Sequence, residues 1–358
     1  MSSINYKYKK IYYGTYNFTK IKTKLVNDMN EASLNERDAK GQWQPRILPN
    51  NAPLYKWPPK PASIINWLFE HLRSLFPWKA FIMLIPICTW FFLTPDLIVM
   101  KTFEIEWITI VFIRNIILLT IIAGGLHLLF YIRKAQGTKY KYNEKWPDKS
   151  RRFLFGDQTR DNVFWSIASG CSVWTFFEVI TYWLFANNKI GFLNWSDSPV
   201  YFTLLYFAID PIRQLHFDLT HRLLHWEPLY KLAHYLHHKN TNFGPWSGLS
   251  MHPIEHLIYF SGVVLHWVLL SHPLHALWHL QNASFTAPIG HSGFENMEII
   301  GRFKIKGPGD YHHYLHHRYF ECNYGTPELP FDSWFGTFND GSVKAHKDMR
   351  KKRKQIHG

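Results

Sequence analysis

Eight histidines of this chain fall into three tight groups: His221 with His225, His234 with His237 and His238, and His313 with His316 and His317. The segments read HRLLH, HYLHH and HYLHH. Spacings of three and four residues stack side chains on one face of an α-helix. Neutral imidazole ligates iron, zinc, copper and nickel alike, so each group offers two or three nitrogens to a common point. Three such groups suffice to surround more than one metal ion. A lone histidine is more often a hydrogen-bonded core or surface residue. That reading fails for the set, because seventeen of the 21 histidines lie between His216 and His317, less than a third of the chain.

Carboxylates beside the groups suit a supporting role, accepting the other ring N–H of a ligand and fixing its tautomer. Asp218 lies three residues before His221, Asp310 three before His313, and Glu255 beside His256. Asp218 has a competing partner in Arg222 at i+4. Chemistry beyond side-chain acids and bases, such as cleavage of an unactivated C–H bond, calls for a metal or organic cofactor. No G-x-G-x-x-G follows a strand, so a dinucleotide would have to act through a separate protein.

These histidines must be positioned by the elements around them. The chain is rich in Phe, Trp and Tyr, and its apolar residues gather in runs. A spanning helix needs about 20 mainly apolar residues. The runs 80–100, 107–132, 163–186 and 199–217 are the candidates; Arg114, Asn115 and Glu178 within them should face protein rather than lipid. Two shorter apolar stretches, 257–271 and 273–289, break at Ser271, His272 and Pro273; each is borderline in length for a full crossing and reads equally as half of a shallow hairpin, with His266, His275 and His279 as packing or interfacial residues. The segment 61–78 is amphipathic and interfacial.

Charge sets the orientation. The connection 133–152 holds eight Lys or Arg against Glu144 and Asp148, whereas 96–106 holds Asp96, Glu104 and Glu106 against Lys101. The first belongs on the cytoplasmic side, and counting crossings brings all three histidine groups to that side too. The formal net charge of +14 therefore suits a membrane surface. No nucleic-acid partner is expected, since no zinc-finger, RNA-recognition or helix-turn-helix signature accompanies the basic residues. Three cysteines without a C-x-x-C pair exclude a disulfide framework and a thiolate zinc finger. The tail from Lys344 to Lys354, with seven basic residues against Asp348, reads as a solvated, disordered segment able to touch anionic lipid. The expected divisions are a partly disordered cytosolic segment over 1–60 with no signal peptide, the interfacial helix and first two spans over 61–154, a catalytic unit over 155–340, and the basic tail over 341–358.

Over roughly 155–340 the chain resembles the fatty acid hydroxylase/sterol desaturase superfamily of integral membrane di-iron oxygenases. The resemblance rests on HRLLH (221–225), HYLHH (234–238), SMHPIEH (250–256), HSG (291–293), HYLHH (313–317), NYG (323–325) and DSWFGT (332–337). It implies metal ligands at His221, His225, His234, His237, His238, His291, His313, His316 and His317. His252 and His312 stand as further ligands or supporting groups, beside Asp218, Glu255, His256 and Asp310. Some hydroxylases of the superfamily carry a second histidine four residues before the one matching His291; here that position is Ala287.

The implied fold is an all-α membrane protein: about four transmembrane helices plus a shallow apolar hairpin, capped by a cytosolic helical histidine-rich metal domain. The implied activity is hydroxylation or desaturation of a sterol-like or fatty-acyl lipid drawn from the bilayer. It would use two Fe ions and O2, with electrons ultimately from NAD(P)H. A small cytochrome- or ferredoxin-type protein and its reductase would deliver them. The site would face the cytoplasm, at the endoplasmic reticulum of a eukaryote or the inner membrane of a bacterium. Two rivals remain at this stage, a membrane metal transporter or sensor and a zinc-dependent lipid hydrolase.

Overall fold

The computed structural model describes residues 78–299, 303–306 and 308–357, with short stretches at 37–38, 41–43, 58 and 60–63. The N-terminal segment and the interfacial helix expected over 61–78 fall largely outside the described residues. Nine helices of eight or more residues carry the described architecture: α1 (Ala80–Phe92), α2 (Ile105–Ile132), α3 (Gln158–Ala186), α4 (Pro199–Leu224), α5 (227–238), α6 (Pro253–Phe260), α7 (Pro273–Gly290), α8 (Tyr311–Tyr319) and α9 (Val343–His357). The departure from an all-α fold is one antiparallel ribbon, β1 (Asn296–Ile299) with β2 (Phe303–Lys306), in which Asn296 faces Lys306.

Among the described residues two helices, α2 and α3, are long and apolar enough to cross a bilayer. They contain the runs 107–132 and 163–186. α3 begins five residues earlier than its apolar run, because Asp157 accepts from the backbone N–H groups of Thr159 and Arg160 and caps a polar first turn. The run 80–100 gives the 13-residue apolar α1 and then a 3₁₀ turn, Leu97–Lys101, capped by Asp96. The run 199–217 lies inside α4, which opens on Pro199 at its first turn and runs for 26 residues.

Polar groups of α2 and α3 turn inward, as their chemistry requires. Arg114 donates to Glu178 and, at 2.9 Å, to Asn115, whose own amide reaches Glu178 at 3.0 Å; all three are buried. The outward faces are apolar: Ile110, Ile113, Ile117 and Ile121 on α2, and Val200, Leu204, Phe207, Leu215, Leu219 and Leu223 on α4. Exposed apolar stripes of this length are unusual on a surface that meets water.

The break at Ser271–Pro273 is present, with His272 capping α7 by accepting from the N–H of Leu274. α7 then packs against α1, α3 and α4, and all but three of its 18 residues are buried. Inside the hairpin His266 and His279 contact each other at 3.2 Å and His275 donates to the Phe202 carbonyl at 2.9 Å, so these histidines are packing residues. The basic tail, expected to be disordered, is helical. α9 is held by Tyr319 Oη at 2.6 Å from buried His346 and by Lys352–Glu321 at 3.0 Å.

Candidate metal centre

α4 presents His221 and ends on His225; α5 presents His234, His237 and His238; α7 ends on His291; α8 presents His313, His316 and His317. These nine side chains meet in two groups. His221, His225, His234, His238 and His316 form one, and His237, His291, His313 and His317 form the other, with the ligand atoms of each group within 4.8 Å of one another. The groups adjoin, since the rings of His238 and His317 stack at 4.6 Å.

Helix geometry explains the division. Successive residues turn by about 100°, so i and i+4 share a direction while i+3 diverges. In α5 the i,i+4 pair His234/His238 serves the first group and His237 the second. In α8 the pair His313/His317 serves the second and His316 the first. Each H-x-x-H-H segment thus feeds both groups, in opposite proportions.

The nitrogens suit metal ions. Nδ1–H donates to a fixed acceptor in four rings: His221 to the Tyr324 carbonyl (2.6 Å), His316 to the Cys322 carbonyl (2.7 Å), His291 to the Ala287 carbonyl (2.8 Å) and His234 to Glu255 Oε1 (2.7 Å). Each neutral ring then turns a lone pair on Nε2 toward its group. Those Nε2 atoms converge: His225–His316 3.0 Å, His316–His238 3.0 Å, His234–His225 3.2 Å, His317–His313 3.1 Å and His291–His317 3.2 Å. Two nitrogens bound to one ion at about 2.1 Å and at a right angle lie roughly 3.0 Å apart. Lone pairs facing lone pairs repel unless a cation lies between them, so the donor set fits two metal ions. Burial holds His221 and His291 at about 4, and burial with neighbouring imidazoles holds the other seven below the ordinary histidine value. All nine rings are therefore neutral near pH 7, the form in which imidazole ligates a metal.

The remaining candidates separate into distinct roles. Glu255 supports the site, but through His234 on α5 rather than through adjacent His256. His252 is outside both groups and caps α6, accepting from the N–H of Ile254 at 3.3 Å. His256 is also outside and meets Ser169 Oγ at 2.7 Å. His312 donates to Asp332 at 3.3 Å. Asp218 pairs with Arg222 at 3.2 Å, the competing partner already visible at i+4. Asp310 caps α8, accepting from the N–H of His313 at 3.1 Å, and so sets that helix's start.

Asp332 is a supporting residue that spacing to the histidines did not single out. It accepts from Arg222 (2.8 Å), His312, Thr337 and the backbone N–H groups of Tyr324 and Gly325 (both 2.9 Å), anchoring the loop whose Tyr324 carbonyl orients His221. Gly325 passes so close that a Cβ there would lie 2.6 Å from Asp218 Oδ1. The signal was the Asp of DSWFGT, read only as part of a family motif.

A cavity of about 410 Å³ opens beside both groups. His221 and His234 of the first and His237, His291 and His313 of the second line it, with Ile82, Phe217, Met251, Tyr259 and Ile289 among its apolar walls. It is large enough for a lipid-sized molecule.

Residues 204–337, which include all nine histidines, match the family model for fatty acid hydroxylases. A Delta(7)-sterol-C5(6)-desaturase of Nicotiana tabacum is 30% identical over 177 residues, covering 47% of this chain and 60% of that protein. A methylsterol monooxygenase of Aspergillus fumigatus is 36% identical over 115 residues, 30% of this chain and 38% of that one. Methylsterol monooxygenase 1 of Gallus gallus is 27% identical over 166 residues, 44% and 54% of the respective lengths. The chain spans at most 60% of the length of these three relatives. No solved structure matches it.

Proposed function

Because this chain belongs to the fatty acid hydroxylase/sterol desaturase superfamily, we propose that it is a membrane-bound, non-haem di-iron oxidoreductase that hydroxylates or desaturates a lipid, sterol-like or fatty-acyl. The observation that carries the reading is the convergence of nine neutral histidines into two adjoining groups on the wall of one largely apolar cavity. Iron is the family's metal; bound by these groups, a pair of ions would supply the reduction of O2 that C–H cleavage requires.

The chain's own residues do the rest. Five imidazoles would hold one ion and four the other. The carbonyls of Tyr324, Cys322 and Ala287 and the carboxylate of Glu255 fix four rings with Nε2 inward. The apolar walls take a hydrocarbon body and keep water from it, and a substrate already in the bilayer need not cross water to reach them.

The apolar outer faces of α2 and α4 support membrane residence, with 80–100 and 199–217 as two further inserted segments beside α2 and α3. The acidic 96–106 and basic 133–152 connections support a cytoplasmic site, at the endoplasmic reticulum or a bacterial inner membrane. Residues 155–340 form the catalytic unit in this reading. Two electrons per turnover come from NAD(P)H through a separate reductase and a small cytochrome- or ferredoxin-type carrier.

Incubation of membranes containing the protein with lipid extract, reductant and ¹⁸O-labelled O2 tests the proposal. The expected result is a lipid product carrying one labelled oxygen or one new double bond, absent from His237→Ala and His316→Ala protein that still inserts into the membrane. Product that takes oxygen only from water, as a hydrolase gives, or undiminished turnover in both variants contradicts it.

A further inference from the structure

Away from the histidines the same cavity contains a second polar cluster. Asp210, Arg213, Gln214, Phe217 and His221 follow one another along α4 at steps of one, three and four residues, and all line the cavity. Arg213 is only 9% exposed, its guanidinium makes no hydrogen bond within 3.5 Å among the described residues, and its nearest carboxylate oxygen, on Asp210, is 3.8 Å from Nη2. Around it, Lys79 pairs with Asp210 and Glu328 at 3.3 Å each. Asn282 and Gln214 each donate to Asp210 at 3.0 Å, and Thr326 donates to Gln214 at 2.8 Å.

Among the described residues of this cluster, two cations thus stand with two carboxylates, and the Arg213 guanidinium keeps N–H donors that no protein acceptor satisfies. A buried donor without an acceptor is costly, whereas an occupant that brings an acceptor satisfies it. An anionic head group would unbalance the charges; a neutral oxygen would not. We propose that Arg213 anchors a neutral oxygen, hydroxyl or carbonyl, of the lipid substrate and so determines its class and its orientation toward the histidine groups. This rests on the reading that oxidation takes place at those groups.

The geometry also limits where oxidation falls. Eight residues separate Arg213 from His221, about 12 Å of helical rise. The anchored oxygen and the oxidised carbon are therefore on the order of 10 Å apart, the length of a fused ring system rather than one or two bonds. A neutral sterol-like lipid meets both conditions, and a free fatty acid meets only the second.

The test uses full-length, iron-loaded protein in nanodiscs, titrated with cholestanol, with cholestane (its counterpart lacking oxygen) and with stearate, binding being read from tryptophan fluorescence. Wild type should bind cholestanol at least about tenfold more tightly than cholestane, one hydrogen bond's worth. Arg213→Leu should remove most of that preference while leaving cholestane affinity unchanged. Melting temperature and metal content establish that the variant is folded; where it is not, Arg213→Lys, which retains the charge opposite Asp210, should lose at least about threefold of the preference.

Equal binding of cholestanol and cholestane, or a preference that survives the substitution, overturns the anchor. So does stearate binding more tightly than cholestanol in an Arg213-dependent way, which would make this an anion site. Oxidation of cholestanol at or next to the hydroxyl-bearing carbon overturns the distance. With reductant added, labelled-oxygen incorporation and new double bonds are followed in the same samples: the absence of both would count against the oxygenase reading and leave the binding result intact.

Discussion

At the scale of single residues, the chemistry depends on which ring nitrogen is free. Glu255 is buried and accepts from His234 Nδ1, with its second oxygen unpaired among the described residues. Outer partners of this kind affect metal affinity by about 10–100-fold. Glu255→Ala should therefore weaken metal binding at the five-histidine group by that factor, measured by chelator competition, and unchanged affinity would remove Glu255 from the site. Eight of the nine candidate ligands were legible in the sequence because their residue type and spacing are themselves the signal, whereas His291, alone in its segment, rested on the family resemblance. Their supports were legible only in part. Backbone carbonyls of Tyr324, Cys322 and Ala287 serve any side chain equally, so nothing in the residue type advertises them. Ala287 shows this well: a residue with no polar side-chain atom, it serves through its carbonyl, which orients His291.

At the scale of elements, hydropathy located α2 and α3 and foretold that Arg114, Asn115 and Glu178 would face inward. It could not name their mutual pairing, which depends on how the two helices are rotated against each other. Breaking a buried ion pair from one side leaves an uncompensated charge, at a cost of about 3–5 kcal/mol. Glu178→Ala should lower the melting temperature in detergent markedly, and Arg114→Met with Glu178→Leu should recover much of the loss. Equal stability of wild type and Glu178→Ala would mean the pair contributes nothing. The helical tail α9 was misjudged from charge alone; docking of His346 against Tyr319 is a tertiary contact that composition does not encode. The β1/β2 ribbon was missed for a similar reason, as four-residue strands show too short an alternation to read.

At the scale of the whole molecule, the site is a set of buried neutral bases inside an otherwise basic protein. His221 and His291 are held at about 4 by burial, against 6.5 when exposed. Between those values the unfolded chain takes up protons that the folded chain refuses. Metal-free protein should therefore lose stability as pH falls from 6.5 toward 4, by up to about 1.4 kcal/mol per unit for each such histidine. Above 6.5 these groups are neutral in both states and contribute no slope. Thermal scans of metal-free protein across pH 4–8 check this, and a flat profile below 6.5 contradicts it.

The two-group arrangement is tested most directly by counting metal. Elemental analysis of wild-type protein purified with its metal intact should give two transition-metal ions per chain. His316→Ala and His237→Ala, each striking a different group, should each fall toward one. A wild-type content of one ion or none in folded protein, or two ions retained in both variants, would contradict a centre built from two histidine groups.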